Sequence, residues 1–226
     1  MDDFSNIIWR CLAGSQRHLS VGTDQARRYA RGFSPLIAFA DPERPDFDAL
    51  APFCEPGTRF YCSEWSGAVP DDWSLHRDAR MLVMAWDGRP APRSDDTLGE
   101  IPLTTAHVAQ MVALAELTRP GPFDARTIEF GGYVGIFDGD RLVAMAGERM
   151  HDRHLREASG ICTHPEYQGR GLAKRLSELV VRRILARNET PFLHVVATNA
   201  RAIALYERMG FRTAREVPLR VVSRTA

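Results

Sequence analysis

The chain has 226 residues, 29 basic against 29 acidic, with 44% apolar residues and a pI near 7.1. That length can bury one large core or two small ones, and the even charge gives no overall positive field to draw the protein to nucleic acid or an anionic membrane. No apolar run approaches the ~18 residues of a spanning helix. Met1-Asp2-Asp3 is the wrong start for a signal peptide, and Cys11, Cys54, Cys62 and Cys162 lack zinc or disulfide spacing, so a cytoplasmic protein without a metal is expected.

In chain order, Ile7-Ile8-Trp9 and residues 35–40, 59–62 and 81–86 read as short strands or a helix start among loops, with no catalytic motif. Residues 41–56 and 89–97 are rich in Pro and Asp, and the second stretch reads as a linker. Residues 103–117 read as a strand and a helix, with Thr104 or Thr105 as cap. Residues 132–137 and 141–150 read as a hairpin around Asp138-Gly139-Asp140, and 157–163 as a further strand.

Pro165 biases His164 toward an extended conformation, so that strand should stop near Thr163. Gly169 and Gly171 then let the chain turn tightly with no Cβ between backbone and ligand. From Leu172 the apolar residues Leu172, Leu176, Leu179, Val180 and Ile184 recur at helical spacing up to about Arg187. The first N–H groups of such a helix lack partners and carry partial positive charge, so an anion fits there. Asn188-Glu189-Thr190-Pro191 punctuates the chain before a strand at 192–197 and a short helix at 200–209 closed by Gly210. Residues 211–217 and 219–223, separated by Pro218, read as two closing strands.

The glycine turn satisfies neither the mononucleotide loop nor the dinucleotide fingerprint, but it does satisfy Q-x-x-G-x-A with Gln168, Gly171 and Ala173. That pattern resembles the coenzyme A pyrophosphate loop of the GCN5-related N-acetyltransferase (GNAT) superfamily. The order downstream is similar too: a long helix, a strand, Asn199, a short helix with Tyr206, then Gly210-Phe211. The resemblance covers residues 101–224. The two-half layout is similar to the FR47-like and glycine N-acyltransferase-like branch. It implies an α/β fold with a mixed sheet and helices on both faces, a degenerate acetyltransferase-like half at 1–97, and a catalytic half at 98–226.

An amine must be neutral to attack a thioester, the carbonyl oxygen gains charge, and the thiolate must leave, preferably protonated. By the resemblance, backbone N–H groups at Ile161 and Thr163, flanking Cys162, polarise the carbonyl and hold the pantetheine arm of acetyl-CoA. The amides of Gln168, Gly169, Arg170, Gly171, Leu172 and Ala173 take the pyrophosphate. Arg170, Lys174 and Arg175 either add charge there or form a solvated helix face. Cys162 is either a nucleophile or a small core residue. Tyr206, seven residues after Asn199, stands where family members carry the acid; Asn199 caps the following helix or bonds the pantetheine arm. His194 stands where ribosomal-protein alanine acetyltransferases carry a glutamate base; Glu148 and a water are the competitors. The expected activity is acyl transfer from acetyl-CoA to a small-molecule or peptide amine in a ternary complex, by a monomer or homodimer. A catalytically silent acyl-CoA-binding sensor or assembly module is the alternative.

Overall fold

Eleven strands form one sheet in the computed structural model, which describes residues 3–92 and 99–225. The first half contributes β1 (Ser20–Gly22), β2 (Ala26–Tyr29), β3 (Leu36–Phe39), β4 (Phe60–Ser63) and β5 (Trp73–Trp86), with helices α1 (Ile7–Ala13) and α2 (Phe47–Leu50). The second half contributes β6 (Ile101–Pro102), α3 (Val108–Thr118), β7 (Val134–Asp138), β8 (Arg141–Asp152), β9 (Leu155–Thr163), α4 (Leu172–Ala186), β10 (Thr190–Val196), α5 (Ala200–Met209) and β11 (Phe211–Arg224). The order across the sheet is β1-β2-β3-β4-β11-β5-β10-β9-β8-β7-β6. Only the β3/β4 and β9/β10 pairs are parallel, so the expected mixed α/β sheet is present.

Local chemistry accounts for most elements of the second half. Asp138-Gly139-Asp140 turns the β7/β8 hairpin, with Gly139 at φ 57°. Thr104 and His107 form a capping box ahead of α3. The apolar stripe of α4 buries Leu176, Val180 and Ile184 against Val134, Ala144, Ala146 and Ala158. On the same side α5 buries Tyr206 and Met209 against Leu193, Val195 and Phe211. The opposite face is covered by α3, over Met145 and Cys162, and by α1, over Met81, Val83, Phe192 and Val217.

The two closing strands expected at 211–217 and 219–223 are one strand, β11, running straight through Pro218. Pro218 is tolerated because β4 ends its pairing at Leu219↔Ser63, so the missing N–H faces a point where no strand needs it. The Pro218 carbonyl on that side accepts from Glu64 N–H at 3.2 Å. The strand lying between β10 and β11 is β5, from the first half: His194 opposes Val83 on one side, and Phe211 through Arg224 oppose Trp86 through Trp73 on the other. The proposed boundary at 97 lies outside the described residues, and the sheet is continuous from one half to the other.

Candidate active site

The parallel strands β9 and β10 pair only at Thr190↔Leu155, Pro191↔Arg156 and Phe192↔Glu157. Beyond that point they diverge, and a cleft of about 1280 Å³ opens between residues 158–163 of β9 and residues 193–196 of β10. A bulge starts the divergence: Met145↔Cys162 is followed by Gly147↔Ser159, which leaves one extra residue on β9. Gly160 sits in that bulge at φ 63°, and a Cβ there would lie 2.9 Å from the buried Tyr133 ring. His164 N–H donates to Val143 O at 2.8 Å. Antiparallel alternation therefore turns the N–H groups of Thr163 and Ile161 away from β8 and toward the cleft. Thr163 Oγ1, also facing the cleft, is buried without a hydrogen-bond partner among the described residues.

The mouth of the cleft is the glycine turn. After a 3₁₀ turn at Pro165–Tyr167, Gly169 and Gly171 adopt φ 81° and 79°. Gly171 is the N-cap of α4 and offers no side-chain cap, so the first amides of the helix stay available to an anion. A Cβ at either glycine meets no protein atom within 4 Å. Glycine is required here by backbone conformation, and the space beside it is left for a ligand. Arg170 lies over the Tyr167 ring, its Cζ 4.6 Å from the centroid, and Lys174 pairs with Glu178 at 2.9 Å, half-exposed. Arg201, which sequence reasoning passed over, lines the mouth from the first turn of α5 and donates to Gln168 Oε1 at 3.3 Å. These donors suit the pyrophosphate and pantetheine of acetyl-CoA: open strand amides, an uncapped helix start and a Gly-x-Gly turn.

Tyr206 reaches the cleft from the α5 side. Burial, with the Cys162 thiol nearby, pushes its phenol up to about 12, so it stays protonated at neutral pH. It finds no hydrogen-bond partner among the described residues and packs edge-on to Phe211. Asn199 caps α5, its Oδ1 accepting from Ala202 N–H at 3.1 Å. Cys162 packs with Met111, Leu114 and Tyr133 under α3, and burial raises its thiol to about 11, so at neutral pH it is a thiol in a core.

His194 and Glu148 lie on opposite faces of the sheet. Glu148 is paired with Ala158, whose side chain faces α4, and both its carboxylate oxygens accept from Nη2 of Arg187 at the end of α4, at 2.9 Å each. It is not among the cleft-lining residues. His194 follows Phe192 on the other face and lines the cleft. Its Nδ1 lies 2.7 Å from Glu157 Oε1, and Glu157 in turn takes two bonds from Arg149, at 2.7 and 2.8 Å. Burial alone would raise the Glu157 carboxyl, but the charges and hydrogen bonds of Arg149 and His194 outweigh it and hold the group well below the ordinary carboxylate range. A carboxylate only accepts, so Nδ1 carries a proton, and in the neutral ring Nε2 is the acceptor. Nε2 is buried with no hydrogen-bond partner among the described residues.

Glu157 and Arg149 were missed at the level of sequence. Each stands beside another charged residue, Glu148-Arg149 on β8 and Arg156-Glu157 on β9, so nothing local singles it out; what joins them to His194 is the β8/β9/β10 pairing, which no local pattern reports.

The sequence pattern of the family described as FR47-like protein matches residues 133–221. Among curated proteins, a mycothiol acetyltransferase from Streptomyces scabiei is 34% identical over 84 residues, which is 36% of this chain; the match spans only 27% of that relative's length. Among solved structures, a GCN5-related N-acetyltransferase-like protein from Streptococcus suis superposes over 99% of this chain and 94% of its own, with TM-score 0.65 at 17% identity, which shows a shared fold. A GNAT-family chain from Novosphingobium aromaticivorans superposes over 98% of both chains with TM-score 0.89 at 38% identity. With 38% identity over 98% of its length, the chain belongs to the GCN5-related N-acetyltransferase family.

Proposed function

We propose that the protein transfers the acetyl group of acetyl-CoA directly to an amine held beside His194, in a ternary complex. The observation that carries this reading is His194 itself: a buried imidazole with its Nδ1 fixed by Glu157 and its Nε2 free, at the point where β9 and β10 part. The mycothiol acetyltransferase likeness supports acetyl transfer and is too short to bring an acceptor with it. Acetyl-CoA supplies an activated acyl thioester. The Thr163 and Ile161 amides polarise its carbonyl, and the amides from Gln168 to Ala173 and Arg201 receive the phosphates. His194 Nε2 takes the proton that the attacking amine gives up, and Tyr206, which keeps its phenol proton, donates to the departing sulfur. Asn199 serves as a helix cap, and Glu148 anchors the end of α4 rather than moving protons.

Among the described residues no helix is long and apolar enough to cross a membrane, and no group of side chains could hold a metal. Four free, buried thiols suit a reducing compartment such as the cytoplasm.

The test is thiol release from acetyl-CoA with a panel of amines, comparing His194→Ala with Glu148→Gln on one acceptor. His194→Ala is expected to lower kcat/KM by at least about tenfold near neutral pH, a loss on the scale of general-base catalysis. Glu148→Gln is expected to keep turnover while lowering the melting temperature. Full turnover in the histidine variant would reject His194 as base; no thiol release with any amine would favour a silent acyl-CoA-binding module.

A further inference from the structure

The cleft has a second arm that the cofactor does not need. It runs from His194 under α1 and is floored by Met81 and Tyr61 of the first half and Leu219 of β11, with the loop after α3 as its outer wall. In the sheet beneath this arm Val83 opposes His194, and alternation along β5 puts Arg77, Ala79, Met81 and Val83 on the same face. Arg77 and Tyr61 both oppose Val221, from opposite sides of β11, and Arg59 precedes Tyr61 by two residues, so both arginines belong to the far end of the arm.

Those two arginines differ from their neighbours. On the reverse face of the same strands, Arg80 pairs with Glu216 at 2.8 Å and Arg220 with Asp78 at 3.0 Å. Arg59 and Arg77 line the cleft and have no hydrogen bond or ion pair among the described residues. The acids that line this arm, Glu116 and Asp124, belong to α3 and the loop after it, and none lies on the floor. Arg149, at the inner end, is already neutralised by Glu157.

Resting on the transferase reading above, we propose that this arm binds an extended acidic peptide, its N-terminal amine at His194 and a carboxylate on Arg59 and Arg77. Length selects this class over a single amino acid. The six residue steps from Val83 to Arg77 cover ~20 Å. After the reach of a guanidinium, about four residues of extended peptide bridge the rest. The apolar floor between the two ends accommodates small or apolar side chains in the intervening positions.

The experiment uses pentapeptides carrying a C-terminal dye, with aspartate at position four and an asparagine twin, and measures their binding to the full chain by fluorescence anisotropy at low salt. The aspartate peptide is expected to bind at least about tenfold tighter, on the scale of a charge-assisted hydrogen bond. In Arg59→Gln/Arg77→Gln the preference should fall to about one, while Arg77→Lys alone should keep part of it. Moving the aspartate to position two should also abolish the preference. Equal binding of the twins by the wild type, or an undiminished preference in the double glutamine variant, overturns the proposal. Thiol release is measured separately on the same peptides. Preferential binding without release sinks the transferase reading alone, and release with equal binding sinks this one alone.

Discussion

Replacing Glu157 by glutamine keeps the shape of the side chain and removes one charge from the group that orients His194. Arg149 and Glu157 are 9% and 1% exposed, so the change strands a guanidinium in the interior. Breaking a buried pair from one side costs about 3–5 kcal/mol, and because glutamine retains an acceptor the lower end, about 3 kcal/mol, is expected. For a chain of this size that is a fall in melting temperature of roughly 6–12 °C near neutral pH. The pH dependence has a definite sign. The Glu157 carboxyl is held down to about 2, so its stabilising contribution is complete above the ordinary carboxylate value of about 4.3 and is lost as pH falls toward 2. The gap between wild type and variant should therefore narrow below about pH 4. Turnover should fall by about ten- to a hundredfold, because an amide can donate as well as accept and so no longer fixes the tautomer, and the charge that stabilises the imidazolium is gone. A double variant, Arg149→Met with Glu157→Gln, removes both charges. It should recover most of the stability and none of the rate. Thermal melts at several pH values and steady-state thiol release measure both quantities. A single variant that melts within 2 °C of wild type, on the size scaling used above, and turns over normally would refute the relay.

Tyr206→Phe should lower kcat by roughly ten- to a thousandfold with little change in acetyl-CoA affinity. Because its phenol has no hydrogen-bond partner among the described residues, stability should change by less than about 0.5 kcal/mol, and full turnover would reduce it to a packing residue. Gly171→Glu should weaken coenzyme A binding strongly while the fold persists, with about 1–2 kcal/mol of backbone strain from the positive φ; unchanged affinity by calorimetry would reject the loop assignment. A fragment beginning at residue 99 lacks β5 and exposes the edges of β10 and β11, so it should not unfold cooperatively in circular dichroism; a sharp melt would show that the second half stands alone.

The second half was legible because its signals are local. Asp138-Gly139 makes a hairpin turn, Gly171 starts a helix, Asn199 caps one and Gly210 ends one, each at the position its chemistry demands. The helix at 200–209 has those very bounds. The first half was harder to read. Ile7 begins a helix whose N-cap, Asn6, makes no side-chain capping bond and sits at φ 47°, and β1 and β2 are three and four residues long, the second with Arg27 and Arg28 in it. The leading part of β5, Ser74 to Arg80, is mostly polar because it lies toward the rim of the sheet. No periodicity marks it as a strand. The site divided in the same way. The loop, Asn199 and Tyr206 are proposed for the site from order along the chain, whereas the proposal of His194 over Glu148 as base rests on which face of the sheet each occupies. That face is set by the β8/β9 register and its bulges, a property of pairs of strands.

The position of β5 also constrains the order in which the molecule can form. Its hydrogen-bonding partners on one side are residues 211–224, reached across sequence separations such as the 147 residues between His76 and Ser223. Loop closure over such distances is slow, and a sheet whose centre is built from remote segments has high contact order. During synthesis β5 would therefore wait, with β4 and the α1 face, until nearly all of the second half had emerged. The arm of the cleft floored by β5 and β11 would be among the last features to take shape, so an intermediate would hold the glycine turn ahead of α4 before it held that arm.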